Sequence, residues 1–234
     1  MLKEYIFKRK SIRSYQDEKL TTEVLEKISK EIDNLKPLIK DIKYEVVIDD
    51  EITKGIAGIK APHYLFFYSE NKKGYLQNIG FIGQHLSLYL NSIGLGTCWL
   101  GMAKPQEKNE EMTFVITMAF GKPQEELFRT KEQFKRKDIS KISNVSNDLF
   151  EAVRLAPSAI NAQDWYFYQD KELIHCYYCK PGLVLRNILG NMSGVDLGIA
   201  MFHIYLMTDN FETVEVDNYP TIRDCDYFIS VKIK

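Results

Sequence analysis

The chain has 234 residues, 45% of them apolar, with 31 Lys and Arg set against 32 Asp and Glu. That composition supplies a sizeable core for one large domain or two small ones, and a formal net charge of -1 leaves no overall basic field of the kind that holds nucleic acid. No apolar run approaches the roughly 20 residues of a membrane span, and the opening MLKEYIFKRK is too charged for a signal peptide, so the expected setting is the cytoplasm and the expected partner a small molecule.

After a basic start, Leu20, Val24, Leu25, Ile28 and Ile32 recur at helical spacing, with Thr22 and Glu23 suited to the helix start. Residues 42–49 and 63–70 read as strands, and 74–94 as a long, mostly buried helix closed by Gly94. A strand over 112–123 ends in a Gly-Lys-Pro turn, and the polar, charged stretch 124–146 reads as a connector. The order then begins again: a helix over 147–157, strands at 164–170 and 173–179 with a Pro-Gly turn after them, a second buried helix over 193–210 and a last strand over 226–234. GQHLSLYL (83–90) and GIAMFHIYLM (198–207) are both glycine-led apolar helices that precede a closing strand. The pattern divides the chain into two weakly similar halves, 1–137 and 138–234.

Cys98, Cys176, Cys179 and Cys225 are too few for a disulfide scaffold and suit a reducing compartment. The Cys176-x-x-Cys179 spacing lies in an aromatic, strand-like run and reads as plain strand rather than as a redox pair. His63, His85, His175 and His203 are scattered, so no metal site is expected.

Three clusters carry chemistry. In KRKSIRSY (8–15), Arg9, Ser11 and Arg13 alternate, so an extended backbone would turn two guanidinium groups and a hydroxyl to one side, a combination suited to phosphate; a solvated basic N-terminus uses the same residues. In IGLGTCWLG (93–101), Gly96 and Gly101 would let backbone N–H groups approach a flat ligand, or the segment is simply a helix exit and a buried strand. In RLAPSAINAQDWYFY (154–168), Ser158, Asn161 and Gln163 place short polar groups in a turn after Pro157, as an ordinary capped turn also would.

Taken together, RKSIRSY followed by LTTEVLEKI, APSAINAQDWYF, and GLGTCWLG followed by a strand and FGKP resemble the FMN-dependent nitroreductase family over most of the chain. The resemblance implies an α+β fold with central mixed or antiparallel sheets flanked by helices. It also implies a tightly bound FMN and ping-pong reduction of a small organic acceptor by NAD(P)H. Carried over by residue, it puts Arg9 and Ser11 at the ribityl phosphate with Lys10 beside them, and Arg13 at the pyrimidine edge, where negative charge on the reduced ring needs stabilising. Arg136 in FKRKDIS completes the phosphate site, with neighbouring Lys135 as the alternative. Leu100 and Gly101 offer backbone near the flavin N5, flanked by Cys98 and Trp99. Pro157, Ser158, Ala159 and Asn161 touch the ring and ribityl chain, and Gln163 is the least secure of the set.

One departure reorganises the picture. In the family the polar turn follows the first helix, whereas here that place holds IDNLKPLIKDIKYEVV, and the turn comes about 120 residues later. Family members are usually homodimers whose flavin sites take the basic cluster from one subunit and the turn from the other. The expectation is therefore a fused, diverged pair of halves, monomeric, with one surviving site. LMTDNFETVEV stands where the second glycine-rich exit would fall, Asp164 stands for the family's usual proline, and Ala159 for a common serine. A flavin-binding carrier or sensor with little turnover is the alternative function.

Overall fold

In the computed structural model, the structure describes residues 2–53, 59–107, 109–180 and 192–233. Among these residues the helices are α1 (Lys3–Ile6), α2 (Thr22–Asp33), α3 (Tyr75–Ser92), α4 (Asp148–Arg154) and α5 (Met192–Met207). The strands are β1 (Tyr44–Asp49), β2 (His63–Ser69), β3 (Gly96–Leu100), β4 (Thr113–Gly121), β5 (Trp165–Asp170), β6 (Leu173–Cys179), β7 (Phe211–Val214) and β8 (Cys225–Ile233).

The strands form two four-stranded antiparallel sheets of the same order, β1-β2-β4-β3 and β5-β6-β8-β7. Each sheet is preceded by a helix (α2 or α4), and each has a long helix (α3 or α5) between its second and third strands. The first sheet lies within residues 1–137 and the second within 138–234, and neither contains a parallel pair. β7 occupies the stretch that the sequence left without an element.

The two long helices cross at glycines. A Cβ on Gly80 would stand 2.0 Å from the Val195 carbonyl oxygen, and one on Gly198 would stand 1.9 Å from that of Gln77. Only a residue without a side chain allows this approach. Leu65, Phe67, Met118 and Phe120 of the first sheet and Trp165, Phe167, Ile174 and Val231 of the second share one core with both helices. At the far end of α3, Gly94 takes φ +85° and closes the helix as expected, with Leu95 N–H donating to the Leu90 carbonyl.

β2 is buried on both faces, which explains its unbroken apolar run. Leu65 and Phe67 face the main core, while Tyr64, Phe66 and Tyr68 face a smaller one closed by Ile12, Tyr15, Ala61 and Leu100. The N-terminal segment is thus pinned over the outer face of the first sheet. Ser11 pairs in parallel with Thr97, and Ile12 N–H donates to the Thr97 carbonyl at 2.9 Å. The expected connector is part of the same construction: Arg9 bridges Phe128, Tyr15 bridges Pro123, and Arg129 N–H donates to the Lys8 carbonyl.

One expectation is corrected. Cys179 and Cys225 are joined by a disulfide, although reduced thiols were expected. The two are 46 residues apart in sequence, and only the β6–β8 register sets them opposite one another. Cys176 lies buried in β6 and pairs with neither, so the C-x-x-C spacing is plain strand. The Pro-Gly turn expected after this strand lies outside the described residues.

Candidate anion and cofactor site

A cleft of about 480 Å³ opens where the N-terminal segment, the connector and the polar turn meet. It brings together Arg9, Lys10, Ser11 and Arg13 of the first sequence cluster, Pro157, Ser158 and Asn161 of the third, up to 152 positions away, and Arg136 of the connector. Ile12 is the reason the first cluster takes this pose. Buried in the small core with 0% exposure, it turns its neighbours toward the cleft.

Arg9 is itself 0% exposed. Its Nη2 donates to Ser11 Oγ at 3.3 Å, while Nε and Nη1 have no partner among the described residues. No carboxylate pairs with it among those residues. Burial, followed by the charges of Arg129 and Arg136, pulls its pKa down to about 9. Arg136 is likewise pulled down to about 10, by burial first and then by Arg129 and Arg154, and its Nε also lacks a partner. Lys10, by contrast, is neutralised by Glu125 at 2.8 Å.

The turn opposite is held under strain. Ile160, Asn161 and Gln163 all have positive φ (46°, 60° and 48°), a region costly for a β-branched residue such as Ile160. Three bonds hold it. Ser158 Oγ accepts from Gln163 N–H at 2.9 Å, Asn161 Oδ1 accepts from Arg136 Nη1 at 2.5 Å, and Asn161 Nδ2 donates to the Lys135 carbonyl at 2.8 Å. Gln163 is buried and fully engaged, accepting from Lys137 N–H and donating to the Arg154 carbonyl, so it braces the turn from behind. Ala159 also faces away. Its N–H donates to both carboxylate oxygens of Asp196 on α5, at 3.1 and 3.0 Å. Asp196 is buried, which together with the Asp164 carboxylate raises its pKa to about 8 against the opposing Ala159 bond.

The second cluster adjoins the cleft without lining it. β3 runs beside Ser11, with Cys98 and Leu100 buried and Trp99 stacked on Phe67 at 5.8 Å between centroids. Gly101 is exposed, and a Cβ there would stand 2.8 Å from Met192 Cε at the start of α5.

Sequence reasoning found Arg136 but missed two other residues that the connector brings. Arg129 and Gln133 line the cleft, and Arg129 donates Nε to the Arg9 carbonyl at 2.9 Å, leaving its two outer nitrogens beside the cleft. Phe134 is flanked by Arg129 and Arg136, 4.4 and 5.5 Å from its centroid. The repeated Arg-aromatic spacing in FRTKEQFKR was the available signal. Asp196 was missed too, although a lone acid within the apolar helix SGVDLGIAM marks a buried polar task. Among the described residues no three His, Cys, Asp or Glu side chains converge as a metal site would require, and no helix is long and apolar enough to cross a membrane.

Fold and cleft together define an α+β protein with a cationic, partly orphaned site between two sheet-bearing halves. Residues 1–208 match the model of the family described as "Putative TM nitroreductase", and the chain belongs to that family. Among solved structures, a "putative nitroreductase" from Thermotoga maritima aligns over 99% of this chain and 93% of its own, with 21% identity and a TM-score of 0.68. A nitroreductase family protein from Clostridium difficile 630 aligns over 63% of this chain and 98% of its own, with 16% identity and a TM-score of 0.50. At these identities the likeness is one of fold. No curated protein matches the chain.

Proposed function

We propose that the protein is an FMN-dependent oxidoreductase that passes hydride from NAD(P)H to a small organic acceptor, with the flavin phosphate held in the arginine-lined cleft. The observation that carries this reading is Arg9, fully buried, with two guanidinium nitrogens unpartnered among the described residues. A buried cation without a counter-charge is costly by several kcal/mol, and a phosphate monoester supplies both the charge and the acceptors that this one lacks.

In this reading Arg9, Ser11 and Arg136 hold the phosphate, and Lys10 sets the rim through Glu125. Arg13 stands toward the pyrimidine edge, where it stabilises negative charge. Pro157, Ser158 and Asn161 wall the opposite side, Ala159 secures the turn to Asp196 behind it, and the Cys98–Gly101 strand end offers its backbone toward the ring. When bound, the flavin supplies two-electron chemistry by accepting and returning hydride. The tasks left to the chain are to bind, to orient and to place positive charge where the reduced ring becomes anionic. No nucleophile or general base is needed from the protein.

The two halves take the place of two subunits in this reading. The equal strand order supports it, as does a matched pair of anchors: Asn78 Oδ1 accepts from Ile39 N–H at 3.0 Å in the first half, as Asp196 accepts from Ala159 N–H in the second. One site is then completed within one chain, and the protein is a cytoplasmic monomer with one FMN.

Purification tests the function. A yellow protein that bleaches anaerobically with NADH or NADPH supports it, a yellow protein that does not bleach is a carrier or sensor, and a chain that cannot take up FMN overturns both. Arg9→Ala is expected to weaken FMN binding by roughly 10- to 150-fold, the worth of a charge-assisted bond, without loss of fold. Sedimentation with flavin quantitation tests the assembly, and an obligate dimer whose sites draw residues from two chains would sink the fused-halves reading.

A further inference from the structure

Where the long helices cross, the core holds a polar pair that the flavin reading leaves without a task. Gln84 lies one turn beyond Gly80 on α3 and His203 lies beyond Gly198 on α5, and both are fully buried. His203 Nδ1 stands 2.8 Å from the Ala152 carbonyl oxygen, and its Nε2 stands 2.9 Å from Gln84 Nε2. A carbonyl can only accept, so Nδ1 carries the ring proton; the neutral ring then has a bare Nε2, to which the Gln84 amide donates. One tautomer satisfies both contacts. The ring stays neutral because burial, with the charges of Arg9 and Arg136 added, brings its pKa down to about 3 against the opposing Ala152 bond.

This pair costs stability. Gln84 Oε1 is buried without a partner among the described residues, a penalty that two apolar side chains at the same crossing would avoid. What the pair secures is the end of α4, a helix of seven residues whose last carbonyls need partners from outside. Three carbonyls there take side chains from elsewhere: Ala152 accepts from His203 Nδ1, Arg154 from Gln163 Nε2 at 2.9 Å, and Leu155 from Arg136 Nη2 at 3.3 Å. Ala152 and Leu155 are coupled directly, since the Leu155 N–H donates to the same Ala152 carbonyl at 3.3 Å. The other partners of Arg136 are Asn161 in the strained turn and the Lys135 carbonyl in the connector, so Leu155 is its tie to a helix anchored in the core.

We propose that His203, oriented by Gln84, is a positioning residue for the arginine cleft: it fixes the Leu155 carbonyl that aims Arg136 and so, on the flavin reading of that cleft, sets the hold on the FMN phosphate. His203 does not line the cleft and acts only through Arg136. A pair that served packing alone would be felt in stability and not in the strength of one phosphate contact.

The test is a double-mutant cycle read as the FMN dissociation constant of the full chain. His203→Phe is expected to weaken FMN roughly tenfold and Gln84→Met about threefold, while in an Arg136→Ala background neither substitution weakens it further. Losses that add in full to that of Arg136→Ala mark a general structural role and overturn the proposal. Unchanged FMN affinity overturns it too, and Gln84→Met supplies that result if His203→Phe fails to fold. Ring ¹⁵N NMR of the native chain should show His203 with a protonated Nδ1 and a bare Nε2, and a protonated Nε2 is a third overturning result. A chain that takes up no FMN overturns the flavin reading alone. The Asn161 side-chain amide signals, beside Arg136 Nη1, should then still shift in Gln84→Met, and signals that stay in place overturn the positioning role.

Discussion

Two turns occupy matching places in the halves of this protein and serve opposite purposes. Each follows the helix that precedes a sheet, each contains a proline, and each gives a backbone N–H to a side chain near the start of a long helix: Ile39 to Asn78, Ala159 to Asp196. After Pro37 the first turn turns inward, with Leu38 only 6% exposed in the main core. After Pro157 the second turns outward, with Ser158 and Asn161 lining the arginine cleft and Ile160 63% exposed at positive φ. The difference teaches that one backbone device can be spent on packing or on shaping a cleft, and that here the strained, polar version is the one beside the cleft.

The strongest way to break the comparison is at the helix crossing that relates the halves. Gly198→Val places atoms where the Gln77 carbonyl already stands, and is expected to cost about 3 kcal/mol or more, with loss of cooperative folding in urea. Next, Leu38→Ala should lose roughly 2 to 4 kcal/mol in the same measurement and leave FMN affinity unchanged. Ser158→Ala should weaken FMN a few-fold and cost about 1 kcal/mol, the worth of its bond from Gln163 N–H. Equal effects of these two on binding would erase the proposed division of labour.

Of the two anchors only Asp196 can ionise, and pH sharpens that difference. The folded pKa of Asp196, about 8, lies above its ordinary value of 3.8, so between those values the native state holds a proton that the unfolded chain releases. Its contribution is complete below about pH 4 and is lost as pH rises toward 8. Asp196→Asn copies the neutral anchor of the first half, and the fall in urea midpoint across that window should become shallower. Smallest of all, Ile160→Gly relieves a left-handed conformation on an exposed residue and should raise stability by about 1 kcal/mol. No gain would mean the turn stores no strain there.

The sequence by itself determined the elements and the chemistry of single clusters. Helical spacing from Leu20 to Ile32, the strand-like run HYLFFYS and the polar letters of APSAIN are local properties, set by side chains on a period of 3.6 or 2 and by turn residues with their own preferences. Only the tertiary structure decided which of them meet. The seating of Ile12 leaves Arg9 a buried cation with two guanidinium nitrogens unpartnered among the described residues; the connector proves to be a wall that delivers Arg129; Gln163 turns from ligand to brace; and Cys179 finds Cys225 through strand register. These are contacts between residues tens to more than a hundred positions apart. Their formation depends on how sheets and helices pack into a common core, and a linear pattern carries no record of that packing.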